Sequence, residues 1–488
     1  MTDADLFAEI DWNGCFFDGS WQTSSDTLDT LSPATGQCLG QIGRASARQV
    51  ATSARTARQR QREWAAQPYE QRAAVFRRAA ELAEAHRSSI VDWLVRESGS
   101  TRGKAEFETQ NSIKILHEAT SLPSQSHGEV LPSVPGRLSL ARRRPMGVVG
   151  VIAPFNFPLI LALRAVAPAL ALGNGVVLKP DPRTSVCGGF VIARLLEQAG
   201  LPAGLLHVLP GEAETGQALV SDEHIAMIQF TGSTAAGRKI GAAASQHLKK
   251  VSLELGGKNS LIVLDDADLD IAVSNATWGA YLHQGQICMS TGRILVHRAI
   301  HDAFVERLVA KAQSLTVGDP AEDDAAALGP LIDSRQLQHA LDLLESATRA
   351  GGQLVAGGDH RDLFFQPAVM THVDADNPIF REETFAPVAV VVPFDDDDQA
   401  VGLANDTEYG LSAAIISKDV GRALALGERI DTGLLHINDQ TVNDEVINPF
   451  GGVGASGNGS SIGGPANWEE FTQWQWLTIK GDAPGYPL

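Results

Sequence analysis

Between Met146 and Leu178 the chain reads MGVVGVIAPFNFPLILALRAVAPALALGNGVVL. Taken as one apolar block, this stretch invites a membrane helix. Pro154, Pro158 and Pro168 interrupt it, and Asn156 and Arg164 lie inside it. A proline within a helix removes a backbone hydrogen bond and clashes with the preceding turn. A span also needs an unbroken apolar run. The stretch therefore reads as a buried strand, a loop, a buried helix and a second buried strand, and no membrane association is expected.

The same rhythm continues on the C-terminal side. "VVGVIA", "GVVLKP", "LLHVLPG" and "AMIQFTGS" are short runs of Val, Ile and Leu, separated by helical segments such as "TSVCGGFVIARLLEQAG". Strand and helix in alternation predict a parallel sheet covered on both faces. Such sheets bind ligands outside the C-terminal ends of their strands. After Gly256 a second alternation begins, with "SLIVLDD", "GRILVH", "AFVERLVAKAQSL", "VAVVVPF" and "SAAIISKD". It predicts a second α/β domain.

On the N-terminal side, "SARQVATSARTARQRQREWAA" and "EQRAAVFRRAAELAEAHRSSIVDWLVRES" place apolar residues at three- and four-residue intervals. They predict helices whose Arg and Glu residues form solvated faces. "HGEVLPSVPGRLSLARRRPMG" breaks the helical pattern with prolines and short β-like runs. The closing "EEFTQWQWLTIK" alternates like a strand. Its tryptophans call for pairing with another strand, across a subunit boundary.

Composition sets the outer limits. A chain of 488 residues is too long for one core and implies two or three domains. With 44% hydrophobic and 20% charged residues the balance is that of a soluble globular protein. A net charge of -19 argues against nucleic acid as a partner, because phosphate contacts need a basic face. The acidic start "MTDADLFAEIDWNG" lacks the basic and apolar parts of a signal peptide. Four scattered cysteines, Cys15, Cys38, Cys187 and Cys288, suggest neither a disulfide framework nor a zinc site. A cytoplasmic location follows. Asp395–Asp398 precede a helical pattern and read as carboxylates at a helix start, with no metal expected.

Several short motifs can carry chemistry. "FTGSTAAGRK" has the glycine spacing of a phosphate loop, Gly232 to Gly237, but Arg238 and Lys239 stand where Lys and Ser/Thr should follow. A plain turn is the default there, although its N–H groups can approach a pyrophosphate. In "SLELGGKNS", Glu254 ends an apolar strand and is either a paired carboxylate or a base tuned by burial. Asn156 of "APFNFP" is either a turn residue or an oxyanion donor. Cys288 of "QGQICMS" is either a small buried hydrophobe or a nucleophile, and the nearby His283 does not decide the matter.

The ordered set decides. "PFNFP", "GNGVVLKP", "FTGST", "LELGGK", "GQIC", "EETFAPV" and "PFGGVGASG" together resemble the aldehyde dehydrogenase superfamily along nearly the whole chain. "GLLHINDQTVNDE" and the long stretch from "GRLSLARRR" resemble the benzaldehyde and vanillin dehydrogenase branch. The resemblance implies two doubly wound α/β domains, one Rossmann-like for the cofactor and one catalytic, plus a β oligomerisation arm. It places the NAD(P)-binding domain at 1–122 and 146–255, the catalytic domain at 256–464 and the arm at 123–145 and 465–488. It makes Cys288 the nucleophile, Glu254 the general base and Asn156 the oxyanion donor. Lys179, Gly232, Ser233, Gly237, Glu383, Phe385, Ile152 and Phe155 would bind the cofactor.

Phe157, Arg164, Ile287, Met289 and Phe450 would line the substrate pocket, where the aromatic side chains suit an aryl ring. The implied reaction oxidises an aldehyde to the acid through a thiohemiacetal and a thioester on Cys288. The implied partners are a small aldehyde and further copies of the chain, as a homodimer or homotetramer. Phe155 stands where Trp is usual in the family, Ala386 where Gly is frequent, and Pro182 where NAD-preferring members often carry Glu. NAD is favoured and NADP stays open. An aliphatic or semialdehyde substrate, a CoA-acylating enzyme and a non-catalytic scaffold are the competing readings. CoA-acylating members generally lack the base at the "LELGGK" position, and a scaffold would be expected to lose its nucleophile or base.

Overall fold

A computed structural model describes residues 5–487. Its first sheet is built around the opening stretch. Val148–Ile152 is a fully buried strand, Pro158–Ala171 a helix and Gly175–Lys179 a second buried strand. Pro158 occupies the first turn of that helix, where its missing N–H costs nothing. All but one of the helix's fourteen residues are buried, which explains why the sequence is apolar all round. Among the described residues no helix is long and apolar enough to cross a membrane.

Five parallel strands form the centre of this sheet, in the order Lys250–Glu254, Met227–Thr231, Val148–Ile152, Gly175–Lys179 and Leu206–Val208. The register pairs Ile152 with Lys179 and Thr231 with Glu254. The chain starts in the middle, builds outward to one side and then returns to the other. This reversal lies between Val148–Ile152 and Met227–Thr231 and opens a crevice at the C-terminal strand ends.

The first third is helical at Ala47–Ala65, Tyr69–Ala85, Arg87–Ser98 and Arg102–Ser121. The second predicted helix is divided at His86, whose backbone leaves the helical region (φ -108°, ψ 20°). The sequence reading also missed strands Cys15–Phe17, Trp21–Thr23, Thr27–Leu31 and Cys38–Gly43, which extend the first sheet. They are too short for a periodic signal, and Cys15–Phe17 is held partly by an antiparallel bridge from Phe17 to Val208.

The second sheet has seven strands in the order Gln353–Ala356, Ala368–Thr371, Val388–Phe394, Thr291–His297, Asn259–Val263, Ser412–Ile416 and Leu434–Ile437. All its pairings are parallel except that of the edge strand Gln353–Ala356. The two doubly wound α/β layers agree with the fold class expected from sequence. The aspartate run opens a helix, as read: Asp396 caps Asp397–Asn405, and Asp395, Asp397 and Asp398 pair with Arg298, Arg422 and Arg429.

A third, antiparallel sheet joins Gly128–Val130, Arg137–Pro145 and Thr472–Lys480. Thr472–Lys480 pairs over its whole length with Arg137–Pro145 of the same chain, from Thr472↔Pro145 to Lys480↔Arg137. Its other edge has no strand beside it among the described residues. Trp474, Trp476 and Ile479 stay exposed there.

Candidate active site

The crevice at the first sheet's strand ends faces the second sheet and holds a cavity of about 450 Å³. Ile152, Lys179, Thr231 and Glu254, the terminal residues of four parallel strands, all line it. Phe155, Asn156, Gly232 and Ser233 line it from the loops that follow. Cys288, Glu383 and Phe385 complete it from the second-sheet side. Motifs spread over more than two hundred residues of sequence, from Ile152 to Phe385, thus meet in one space.

The Cys288 loop has an unusual backbone. His283, Gln284 and Gly285 all take left-handed conformations, with φ of 49°, 56° and 66°. Such geometry costs a non-glycine residue about 1–3 kcal/mol and persists only where the surroundings enforce it. Side-chain amides supply the enforcement. Gln284 donates to the carbonyls of Pro330 and Gly99 at 2.7 and 3.1 Å. Gln286 accepts from Ile332 N–H at 3.0 Å. Asn156 Nδ2 donates to the Gln286 carbonyl at 2.8 Å. Asn259 donates to the carbonyls of Cys288 and Ser290, both at 2.8 Å. Gly285 has no substitute here: a Cβ would lie 2.3 Å from the Ala386 carbonyl oxygen.

Asn156 is held from behind by a buried ion pair. Lys104 Nζ donates to the Asn156 carbonyl at 2.8 Å and to Glu108 at 2.5 Å. Glu108 accepts the N–H groups of Leu159 and Ile160, at the open start of helix Pro158–Ala171. Neither Lys104 nor Glu108 was found from sequence, since nothing local shows that a helix many residues upstream passes beneath "PFNFP".

Burial displaces three titratable groups of the site, Glu254, Cys288 and Glu383. Glu254 is 3% exposed, neither carboxylate oxygen has a hydrogen-bond partner among the described residues, and burial holds its pKa well above the ordinary carboxyl range. The half-buried Cys288 thiol is pushed up to about 12, first by desolvation and then by the Glu383 and Glu254 carboxylates. Burial raises Glu383 to about 7, against a hydrogen bond from Gly257 N–H and the charge of Lys258. Glu383 rests directly on the glycine pair of "LELGGK", where a Cβ on Gly256 would meet its Oε2 at 2.4 Å.

Lys179 is buried, and among the described residues its Nζ makes a hydrogen bond only with the Pro180 carbonyl, at 3.2 Å. Phe385 takes a left-handed backbone (φ 51°) and meets Phe155 edge-on at 5.8 Å. Gly232 donates its N–H to the Glu254 carbonyl, and Ser233 caps the helix Thr234–Gln246, so N–H groups at that start face the crevice. Gly237 is not in the cavity wall. It sits one turn into the helix, where its missing Cβ admits Leu255. Gln336 and His339, which sequence reasoning missed, do line the cavity. They are carried by helix Ser334–Arg349, which no motif marks.

The five residues expected at the substrate are placed differently from the cofactor set. None lines this cavity, where Leu161 stands instead. Phe157, Ile287, Met289 and Phe450 belong to one apolar cluster against which Cys288 and Leu161 pack. Arg164 is buried, forms an ion pair with Asp444 and lies 4.9 Å from the Phe450 ring.

The comparisons with known proteins agree with this architecture. The model of the aldehyde dehydrogenase family matches residues 21–477, and the chain belongs to that family. Among individual relatives, it is 54% identical to a vanillin dehydrogenase of an Amycolatopsis strain and 47% identical to an NAD(+) benzaldehyde dehydrogenase of Pseudomonas putida. Both alignments cover 98% of either chain. Among solved structures, a salicylaldehyde dehydrogenase from Pseudomonas putida complexed with salicylaldehyde superposes with a TM-score of 0.94 at 35% identity, covering 98% of this chain and 99% of that one. A Staphylococcus aureus betaine aldehyde dehydrogenase in complex with NAD+ gives 0.94 at 29% identity, covering 100% of this chain and 98% of that one.

Proposed function

We propose that this member of the family oxidises aromatic aldehydes to carboxylic acids with NAD(P)+, with Cys288 as nucleophile, Glu254 as base and Asn156 as oxyanion donor. The observation that carries the reading is the meeting of these three residues in one cavity, at the strand ends of a doubly wound sheet. The aryl substrate class rests on the vanillin and benzaldehyde dehydrogenase relatives and on the apolar cluster of Phe157, Ile287, Met289 and Phe450 beside Cys288.

The Cys288 thiol is protonated at neutral pH, so the first task is to remove its proton. Glu254, unpaired and raised by burial, is suited to accept it. The thiolate then attacks the aldehyde carbon. One N–H of the Asn156 amide is held by the Gln286 carbonyl, which aims the second at the developing oxyanion. When bound, NAD(P)+ would be held by Lys179, Glu383 and the helix start at Gly232 and Ser233, and would supply the hydride acceptor for oxidation of the thiohemiacetal to the thioester. With its first proton passed to solvent, Glu254 then takes a proton from water, whose oxygen attacks the thioester carbonyl; the carboxylic acid forms and Cys288 leaves as the thiolate. A base in this position supports water, not CoA, as acyl acceptor.

The cavity suits a dinucleotide on structural grounds. It brings a buried ammonium (Lys179), a helix start (Gly232, Ser233) and, from the facing wall, a buried carboxylate (Glu383) around one space. We favour NAD over NADP. The nearby guanidinium of Arg183 is already neutralised by Asp181 and Asp333, so a 2′-phosphate finds carboxylates where it needs a free cation. Residues 1–122 with 146–255 form the cofactor domain on this reading, 256–464 the catalytic domain, and 123–145 with 465–488 the arm. The free cysteines fit a reducing cytoplasm.

The arm supports assembly into a homodimer or homotetramer. Thr472–Lys480 has a free edge and exposed tryptophans, and the second sheet ends in the half-exposed strand Leu434–Ile437. A partner's arm strand beside that edge would satisfy both. Sedimentation at micromolar concentration tests this, because a species at 51.8 kDa would be the bare monomer. The substrate proposal is tested by comparing kcat/KM for benzaldehyde, hydroxylated benzaldehydes and hexanal with NAD+ and NADP+ in turn. Benzaldehydes with NAD+ should lead, and a preference for hexanal would overturn the aryl assignment.

A further inference from the structure

The cavity is ringed by side chains that join its two walls, and the geometry points to Arg183 as a clasp. We propose that Arg183 and Asp333 hold the cleft closed on the bound dinucleotide and set the rate at which it leaves. The inference rests on the reading of this cavity as the NAD(P) cleft.

Arg183 lies in the turn that follows the strand Gly175–Lys179, on the first-sheet side. Its Nε and Nη2 grip the two carboxylate oxygens of Asp181, each at 2.8 Å. This planar two-point fork fixes the guanidinium's direction. The remaining nitrogen, Nη1, crosses to Asp333 at 2.7 Å. Asp333 belongs to the second-sheet side, where it caps helix Ser334–Arg349 by accepting the Gln336 N–H at 2.8 Å.

The clasp continues into both walls. Gln336 donates its side-chain amide to the carbonyls of Thr384 and Phe385 at 3.3 and 3.1 Å. The Arg183 guanidinium lies 4.2 Å from the Phe155 ring, and Phe155 meets Phe385 edge-on. The contacts therefore close on themselves: Arg183, Asp333, Gln336, Phe385, Phe155 and Arg183 again. Four of these five line the cavity. The pair is partly shielded from water, with Arg183 and Asp333 side chains 27% and 26% exposed. Burial opposes the charge on Asp181, but the hydrogen bonds and charge of Arg183 outweigh it and hold that carboxyl below its usual range. Arg335 also approaches Asp333, at 3.5 Å, but its side chain is 83% exposed and does not line the cavity.

A second ion pair between the two lobes serves as a control. Arg238 and Glu408 are both more than half exposed and lie outside the cavity wall. Exposed pairs of this kind contribute little.

The test is stopped-flow release of NADH from its preformed complex with the full-length enzyme. The variants are Asp333→Asn, Arg183→Gln, their combination and Glu408→Gln. Asparagine caps a helix as well as aspartate, so Asp333→Asn removes the ion pair and keeps the helix start. Each clasp variant should release NADH about tenfold faster, the equivalent of one charge-assisted hydrogen bond. The double variant should be no faster than the faster single one, because both break the same contact. Glu408→Gln should match the wild type. Release from Asp333→Asn at the wild-type rate, or strictly additive effects, would overturn the clasp. Should Arg183→Gln fail to fold, Asp333→Asn alone decides. A wild-type enzyme that binds no NADH would overturn the cofactor reading itself, which is a distinct outcome.

Discussion

The two walls of the cleft are built on opposite principles. On the first-sheet side, Ile152, Lys179, Thr231 and Glu254 sit at the ends of parallel strands, placed by regular backbone ladders such as Ile152↔Lys179 and Thr231↔Glu254. On the second-sheet side, Cys288 and Phe385 follow or occupy left-handed backbone, placed by side-chain amides and close glycine contacts. One wall is a by-product of the fold. The other is strained and clamped. The difference shows where precision is costly: strand ends supply a broad surface, whereas the proposed nucleophile needs one sulfur in one direction.

Substitutions can break this comparison in graded ways. Cys288→Ser should lower kcat by at least about 10⁴-fold while NADH binding, read by fluorescence titration, stays intact, because an alcohol is a poor nucleophile at neutral pH. Cys15→Ser, Cys38→Ser and Cys187→Ser should remain active. Asn156→Ala should lose about 10²–10³ in kcat through its oxyanion contact. Asn156→Asp should lose at least as much, because a carboxylate cannot donate to the Gln286 carbonyl and repels the developing oxyanion.

Gly285→Ala tests the clamped wall. It forces a side chain onto left-handed backbone and against the Ala386 carbonyl, at a cost on the order of 2–3 kcal/mol. The thermal midpoint should fall, and activity should fall further than stability alone explains. An alanine variant with a wild-type midpoint would show that the loop is not under the constraint described.

Glu254→Gln sharpens the other wall. The folded-state pKa of Glu254 is raised above its unfolded value, so the unfolded chain loses this proton first as pH rises. Wild-type stability is therefore penalised increasingly from the ordinary carboxyl range upward. The neutral glutamine escapes the penalty. Its midpoint should exceed the wild type's by a margin that grows with pH, measured by calorimetry between acid and neutral conditions. A margin that shrinks with rising pH would contradict the burial argument. Activity should move in the opposite direction to stability.

The same contrast governs what was legible in the sequence. The strand runs "VVGVIA", "GVVLKP" and "AMIQFTGS" declare themselves by composition, and the first wall follows from them. Cys288, Glu254 and Asn156 stand in short motifs whose order along the chain is informative. The clamps are silent. Gln284, Gln286 and Asn259 are ordinary polar residues until the fold brings Pro330, Ile332 and Ser290 within reach. Lys104 and Glu108 look like one more helical charge pair, yet both side chains are fully buried under Asn156. Gly237, which the resemblance groups with the cofactor residues, packs against Leu255 one turn into its helix, outside the cavity wall.

The central claim is that Cys288 carries the acyl group and Glu254 releases it. Intact-protein mass spectrometry of Glu254→Gln, mixed with benzaldehyde and NAD+, addresses both halves at once. The account predicts a slowly accumulating but persistent mass increase of one benzoyl group per chain, because the glutamine neither takes the Cys288 proton nor activates water; the adduct maps by peptide digestion to Cys288 and is absent from the Cys288→Ser background. A Glu254→Gln enzyme that turns over at the wild-type rate with no adduct, or an adduct on any other residue, would contradict it.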